Sequence, residues 1–169
     1  MAHREPFLTA LMKVMTLLGE GGAVWIALGL IFLLKKQTRR VGISIFLALL
    51  LSVIFCNGIL KNVVARPRPC WRNPDMLLLE RMPMDYSFPS GHSASSFAAA
   101  VSIFFRSRRG GAAAICLAAL IAISRLYFYV HYPTDILAGT LLGILLAVMA
   151  EYLLRITEKK GMWKGRIGD

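Results

Sequence analysis

Acidic residues are scarce in this chain. It has 9 Asp and Glu against 20 Lys and Arg, so its formal net charge is +11 over 169 residues. The polar segments set among its apolar runs hold no recognisable acidic cage for a metal ion and no carboxylate pair for general acid–base work. The three cysteines, Cys56, Cys70 and Cys116, show no metal-ligand spacing, and two of them sit inside apolar runs, so no disulfide framework is implied. The first twenty residues do not present a basic start, an apolar stretch and a small-residue cleavage site in that order, so a cleaved signal peptide is not expected. The length leaves no room for a separate soluble module, and residues 1–169 are expected to form one domain.

Apolar residues dominate instead. Hydrophobic side chains make up 57% of the chain, and only 17% of residues are charged. The mean hydropathy is +0.61. The charges cluster between apolar runs, the pattern of a protein that crosses a membrane several times. The basic residues occupy the ends of apolar segments and form no continuous face, which argues against a nucleic-acid partner.

Residues 6–18 are apolar around Lys13 but too short to cross a core of ~30 Å at ~1.5 Å per residue, so an interfacial or half-inserted helix is expected. Spanning candidates follow at 20–34, 41–62, 91–105, 110–130 and 134–154. The prolines at 67, 69, 74, 83 and 89 make 63–90 the one long loop. Gly139 and Gly143 form a small-xxx-small pair suited to helix packing. The expected fold is an all-α polytopic membrane bundle of about six helices: five spanning candidates and a short amphipathic helix at the N-terminus.

Three basic clusters, Lys35–Lys36–Arg39–Arg40, Arg106–Arg108–Arg109 and Arg155–Lys159–Lys160–Lys164–Arg166, fall on one side if the five spans alternate. The positive-inside tendency makes that side cytoplasmic. The long loop and the outer ends of the flanking spans then share the extracytoplasmic side. Ionisable groups are costly in or beside a bilayer, and those gathered on that side mark a site.

They form three segments. Lys61 ends a helix, and Arg68 follows a turn broken by Pro67; two fixed cations can neutralise a dianionic phosphate, and the planar fork of arginine can bind two of its oxygens. Equally, Lys61 and Arg68, with Arg66 and Arg72, could only reach for lipid headgroups. In Pro89–Ser90–Gly91–His92, Ser90 suits an N-cap, Gly91 admits close backbone approach, and the free amides of a helix start attract an anion; the segment could also be a cap and nothing more. Arg125, after Ser124, lies near the end of an apolar run and needs a partner or a polar cavity. Asp135, four residues after His131, can take the proton of one imidazole nitrogen and leave the other as a nucleophile; it could equally be an ordinary first-turn acid.

Together the three segments resemble the signature of the type 2 phosphatidic acid phosphatase superfamily, integral-membrane lipid phosphate phosphatases. The pattern is a Lys, six residues, then Arg-Pro; Pro-Ser-Gly-His; and Ser-Arg, five residues, His, three residues, Asp. Here it is Lys61 with Arg68–Pro69, Pro89 to His92, and Ser124–Arg125 with His131 and Asp135, every spacing kept. The resemblance runs from about residue 20 to 155. It implies phosphate binding by Lys61, Arg68, Ser90, Gly91 and Arg125, and catalysis by His131 as nucleophile, Asp135 as its orienting acid and His92 as proton donor. No cofactor or metal is implied, because fixed cations supply the electrostatics. The implied partners are the bilayer and a lipid phosphate or diphosphate. Undecaprenyl diphosphate is favoured over phosphatidylglycerophosphate or phosphatidic acid, with an extracytoplasmic site in a bacterial plasma membrane. A phosphotransferase, a non-enzymatic lipid-phosphate binder or transporter, and a haloperoxidase-like use of the pocket are the other readings. Both histidines weigh against the binder, and the apolar spans against the haloperoxidase.

Overall fold

The structure is a computed structural model and describes residues 5–73 and 82–159, all of whose regular elements are helical. Helix α1 (Pro6–Gly19) leads through a tight turn at Glu20–Gly22 into α2 (Ala23–Leu34). Helix α3 (Arg39–Ser52) continues through a widened stretch, Val53–Leu60, into the short α4 (Lys61–Val64). After α5 (Pro69–Arg72) come α6 (Gly91–Phe104), α7 (Arg108–Tyr127) and α8 (Pro133–Lys159).

At 12 residues, α2 is too short to cross ~30 Å of hydrocarbon alone. It crosses together with α1: Pro6–Leu34 is one apolar stretch of 29 residues. The break between them has a backbone cause. Gly21 and Gly22 take φ of 56° and 75°, left-handed values that glycine adopts without steric cost. The N-terminal helix is therefore not set apart on the surface. It runs along α7, with Thr9 Oγ1 2.6 Å from the Tyr127 hydroxyl and Thr16 bonded to Arg125.

Among the described residues, four stretches are long and apolar enough to span: Pro6–Leu34, Arg39–Arg72, Arg108–Tyr127 and Pro133–Lys159. The remaining sequence candidate is α6, which has only 14 residues and lies in the middle of the bundle against α3, α7 and α8. Its first turn carries the second segment of site residues. Small residues let its neighbours close in. A Cβ on Gly143 would lie 2.4 Å from the Ala94 carbonyl oxygen, and one on Gly139 would lie 2.5 Å from that of Ser90. The small-xxx-small pair thus sets the α6–α8 contact, as its spacing suggests.

The opposite face of α8 carries Leu137, Leu141 and Leu145, each more than 60% exposed. Such an apolar stripe would be a liability in water and is ordinary against lipid tails. Away from the site, the basic turns draw in the acids of α8. Arg40 reaches Glu151 at 2.9 Å and Glu158 at 2.7 Å, and Arg155 reaches Glu151 at 2.9 Å. Of the basic tail, Lys160, Lys164 and Arg166 lie outside the described residues.

Gly143→Ala should lower thermal stability in detergent by about 1–3 kcal/mol, because its methyl meets backbone and α8 must back away from α6. An unchanged melting temperature would show that the helices do not pack at this distance.

Candidate active site

The site forms at one end of the bundle, where the first turn of α6, the ends of α4 and α7 and the start of α8 meet. Ser90 caps α6: its Oγ accepts from the Ser93 amide at 3.4 Å, and its own amide donates to the Asp135 carbonyl at 3.1 Å. A Cβ on Gly91 would lie 3.0 Å from Asn57 Oδ1 and 3.9 Å from Lys61 Nζ, so this glycine lets the helix start approach the lysine. Lys61 itself is displaced by a feature that the sequence hides. Its amide bonds to the Cys56 carbonyl, five residues back, where a regular α-helix would use the fourth. Such widened turns often occur at functional positions, and this one also carries Asn57 to the cavity wall.

Lys61 and Arg68 do not reach out to headgroups. Their exposures are 8% and 3%, and Arg125 is buried as well. Arg68 is fixed through every nitrogen: Nε donates to the Asp85 carbonyl (2.7 Å), Nη2 to Asp85 Oδ1 (2.6 Å), and Nη1 to the Val130 carbonyl (2.8 Å) and to His131 Nε2 (3.1 Å).

That last contact assigns the His131 tautomer. A guanidinium can only donate, so Nε2 must hold a lone pair and the proton of the neutral ring sits on Nδ1. Nδ1 faces Asp135 Oδ2 at 3.5 Å, an ion-pair separation looser than a good hydrogen bond. His131 precedes α8, with Pro133 at its first position. The residues between α7 and α8 turn sharply, and Tyr129 takes a φ of 59°. Burial, together with Arg68 and Arg125, pushes the His131 pKa down to about 4 against the opposing pull of Asp135.

Asp135 is more than a first-turn acid. It has no solvent exposure, and its oxygens accept from Arg66 Nη1 (2.8 Å), the Tyr132 amide (2.8 Å) and the Ser87 hydroxyl. Arg66 also donates to Thr134 Oγ1 at 2.7 Å and lies 3.9 Å over the Tyr132 ring. Ser87 is tied back to Arg66 by a 2.9 Å backbone bond. Arg66, a candidate headgroup contact by sequence, instead serves Asp135, and Ser87 lies outside all three segments. The one signal was their closeness to the first two segments.

His92 occupies the opposite wall. A Cβ on Gly19 would lie 2.9 Å from its Cδ2, so the α1–α2 break packs directly on the ring. The Glu20 carboxylate stands 3.5 Å from Nε2. Glu20 is therefore part of the site wall.

Lys61, Arg68, Gly91, His92, Arg125 and His131 line one cavity of about 880 Å³, and Asp135 stands behind His131. Its polar end holds Lys61, Arg68, His92, Arg125 and His131; Ile26, Phe46, Leu49 and Val53 form an apolar wall. A deep cationic end, an apolar flank and a histidine on each side suit a phosphorylated amphiphile. The model of the PAP2 superfamily matches residues 41–158, which hold all three segments.

The chain belongs to the PAP2 superfamily.

Among curated proteins it is 37% identical over 122 residues to an undecaprenyl-diphosphatase of Sulfolobus acidocaldarius, a match covering 71% of this chain and 58% of the relative. Among solved structures it superposes on Aquifex aeolicus LpxE with a TM-score of 0.75 at 28% identity, covering 89% of this chain and 88% of that one. A transmembrane PAP2-type phosphatidylglycerolphosphate phosphatase from Bacillus subtilis gives a TM-score of 0.70 at 26% identity, covering 97% and 82%. The membrane bundle is thus shared with solved members of the superfamily.

Nuclear magnetic resonance titration of the His131 ring should show a midpoint near 4, with the ring neutral at pH 7. Asp135→Asn should move the midpoint lower still, since the carboxylate favours the charged ring. A midpoint above 6 would contradict the site's geometry.

Proposed function

We propose that the protein hydrolyses a lipid-linked phosphate or diphosphate through a phosphohistidine on His131, at the extracytoplasmic face of a bacterial plasma membrane. The observation that carries this reading is the convergence of Lys61, Arg68, Arg125, His92 and His131 on one cavity with an apolar flank.

Lys61, Arg68 and Arg125 hold the phosphoryl oxygens, and the amides beside Ser90 and Gly91 add hydrogen bonds. Fixed positive charge around the transferring group is the main requirement of phosphoryl transfer. As the phosphate arrives, Arg68 Nη1 turns from His131 Nε2 to an oxygen and frees the lone pair. Nε2 then attacks phosphorus while the bond to the leaving oxygen breaks. Protonated His92 gives its proton to that oxygen; the negative charge of the bound phosphate, set against the surrounding cations, favours the charged ring. Asp135 steadies the Nδ1 proton as the His131 ring becomes cationic. Next, water attacks phosphorus, loses a proton to His92 and cleaves the P–N bond. Inorganic phosphate leaves, and both histidines return to their starting states.

Undecaprenyl diphosphate is the favoured substrate. The named activity of the Sulfolobus acidocaldarius relative supports it, as does an apolar flank that can take a long hydrocarbon tail. The Bacillus subtilis neighbour supports phosphatidylglycerophosphate as the second reading.

Phosphate release from a lipid panel, assayed in excess EDTA, tests chemistry and substrate together. Wild type should act fastest on undecaprenyl diphosphate, and His131→Ala should lose about three orders of magnitude or more in turnover. Undiminished turnover by His131→Ala would remove the nucleophile assignment. Activity that needs added Mg²⁺ would remove the all-protein electrostatics.

Sidedness has its own test, in a background without native cysteines. Asn62→Cys should react with a membrane-impermeant maleimide in intact cells, and Gln37→Cys only after permeabilisation. The reverse pattern would place the site in the cytoplasm.

A further inference from the structure

The phosphate seat contains an anion of the protein's own. Asp85, in the loop ahead of α6, pairs through Oδ2 with Lys61 Nζ and through Oδ1 with Arg68 Nη2 at 2.6 Å. Its backbone carbonyl takes the Arg68 Nε–H at 2.7 Å. One residue thus satisfies both cations of the first segment. The pairing is asymmetric: the Lys61 and Arg68 side chains are 9% and 3% exposed, whereas that of Asp85 is 54% exposed. The cations are fixed and the carboxylate stands at the cavity mouth.

We infer that Asp85 determines specificity: its carboxylate occupies the seat, is displaced by a dianionic terminal phosphate, and is not displaced by a singly charged headgroup. This rests on the reading of Lys61, Arg68 and Arg125 as a phosphate seat. A bilayer presents phosphodiester headgroups in vast excess, each with one negative charge, and three bare cations would attract them without discrimination. Exchanging Asp85 for such a monoanion leaves the charge at the seat unchanged. It also sets a free ligand against a tethered one, whose effective concentration is in the millimolar range or above. A terminal phosphate adds a second charge, and its three free oxygens can reach Arg125 as well as Lys61 and Arg68. Rejecting the wrong ligand by an internal competitor is specificity through a difference of affinities.

The loop is built to let the carboxylate leave without unravelling. Two residues on, Ser87 stays anchored to Asp135 and to the Arg66 carbonyl, and neither bond involves the Asp85 side chain. Burial opposes the charge of Asp85, but Lys61 and Arg68 outweigh it and hold the pKa at about 2, so the internal anion persists at any physiological pH.

The test, run at mildly alkaline pH, compares inorganic phosphate, there mostly a dianion, with dimethyl phosphate, a monoanionic diester. Each is used as an inhibitor of lipid phosphate hydrolysis and as a ligand that raises the melting temperature of the purified full chain. Wild type should respond to phosphate and ignore dimethyl phosphate. In Asp85→Asn the inhibition constant for dimethyl phosphate should fall by about tenfold or more, and that for phosphate by less, so the discrimination shrinks. Asp85→Ser should behave alike and carries the test should the Asn variant not fold. The melting-temperature arm reads binding even in an inactive variant. An unchanged ratio of the two constants, or weaker binding of both ligands, would overturn the proposal. Lys61→Met separates the two levels. Phosphate inhibition that is lost there while the Asp85 variants keep the wild-type ratio removes only this inference. Absence of phosphate inhibition from wild type removes the seat itself.

Discussion

A carboxylate with no solvent exposure holds this end of the bundle together. Asp135 collects Arg66 from the turn after α4, Ser87 from the loop before α6, and the Tyr132 amide from its own helix start, with His131 beside it. An ion left unpaired in a low-dielectric setting costs several kcal/mol, so a charge buried here demands donors on all sides. That demand fixes the two loops against the first turn of α8. Because the Ser90 amide also donates to the Asp135 carbonyl, the start of α6 is fixed by the same residue. Without this junction the cations, the helix start and the two histidines would belong to separate segments.

The cavity joins two solvents. Its cationic end is a water-like environment made of protein groups, and its flank is made of apolar side chains such as Ile26, Leu50 and Val53. A lipid phosphate is divided in the same way. The break at Glu20–Gly22 brings these halves together: α1 and α2 make one crossing, and the interruption falls level with His92, where Gly19 and Glu20 form the wall. Any side chain at position 19 would crowd the ring. Irregular backbone within a membrane bundle is tolerated where it lines a cavity, and both this turn and the widened stretch before Lys61 do so.

Much of this was legible in one dimension. The helices between basic turns, the placing of the long loop and the use of Gly139 and Gly143 all follow from hydropathy, proline and residue size. The signature spacings single out Lys61, Arg68, Ser90, Gly91, His92, Arg125, His131 and Asp135, and the structure gathers all of them at one end of the bundle. Arg66 and Ser87 were not legible, since an arginine among arginines and a serine in a loop carry no pattern. Asp85 is a loop acid ahead of the second segment, and nothing in its spacing pairs it with Lys61 and Arg68. Glu20 carries no signal of its own, because a glycine-rich break reads equally as the end of a span and as a kink within one.

The sequence by itself determined the class of structure and singled out the signature residues of the site. Bilayer thickness sets how many apolar residues a span needs, and the cost of buried charge makes every ionisable residue among those spans conspicuous. Tertiary structure alone decided which of those charges meet. It turned a half-inserted helix and a short span into one kinked crossing, seated Asp85 between Lys61 and Arg68, and oriented His131 so that its free lone pair faces Arg68 and its proton faces Asp135. Such pairings depend on angstrom-scale approach between segments tens of residues apart. Local sequence fixes which groups are present, and only packing fixes the distances between them.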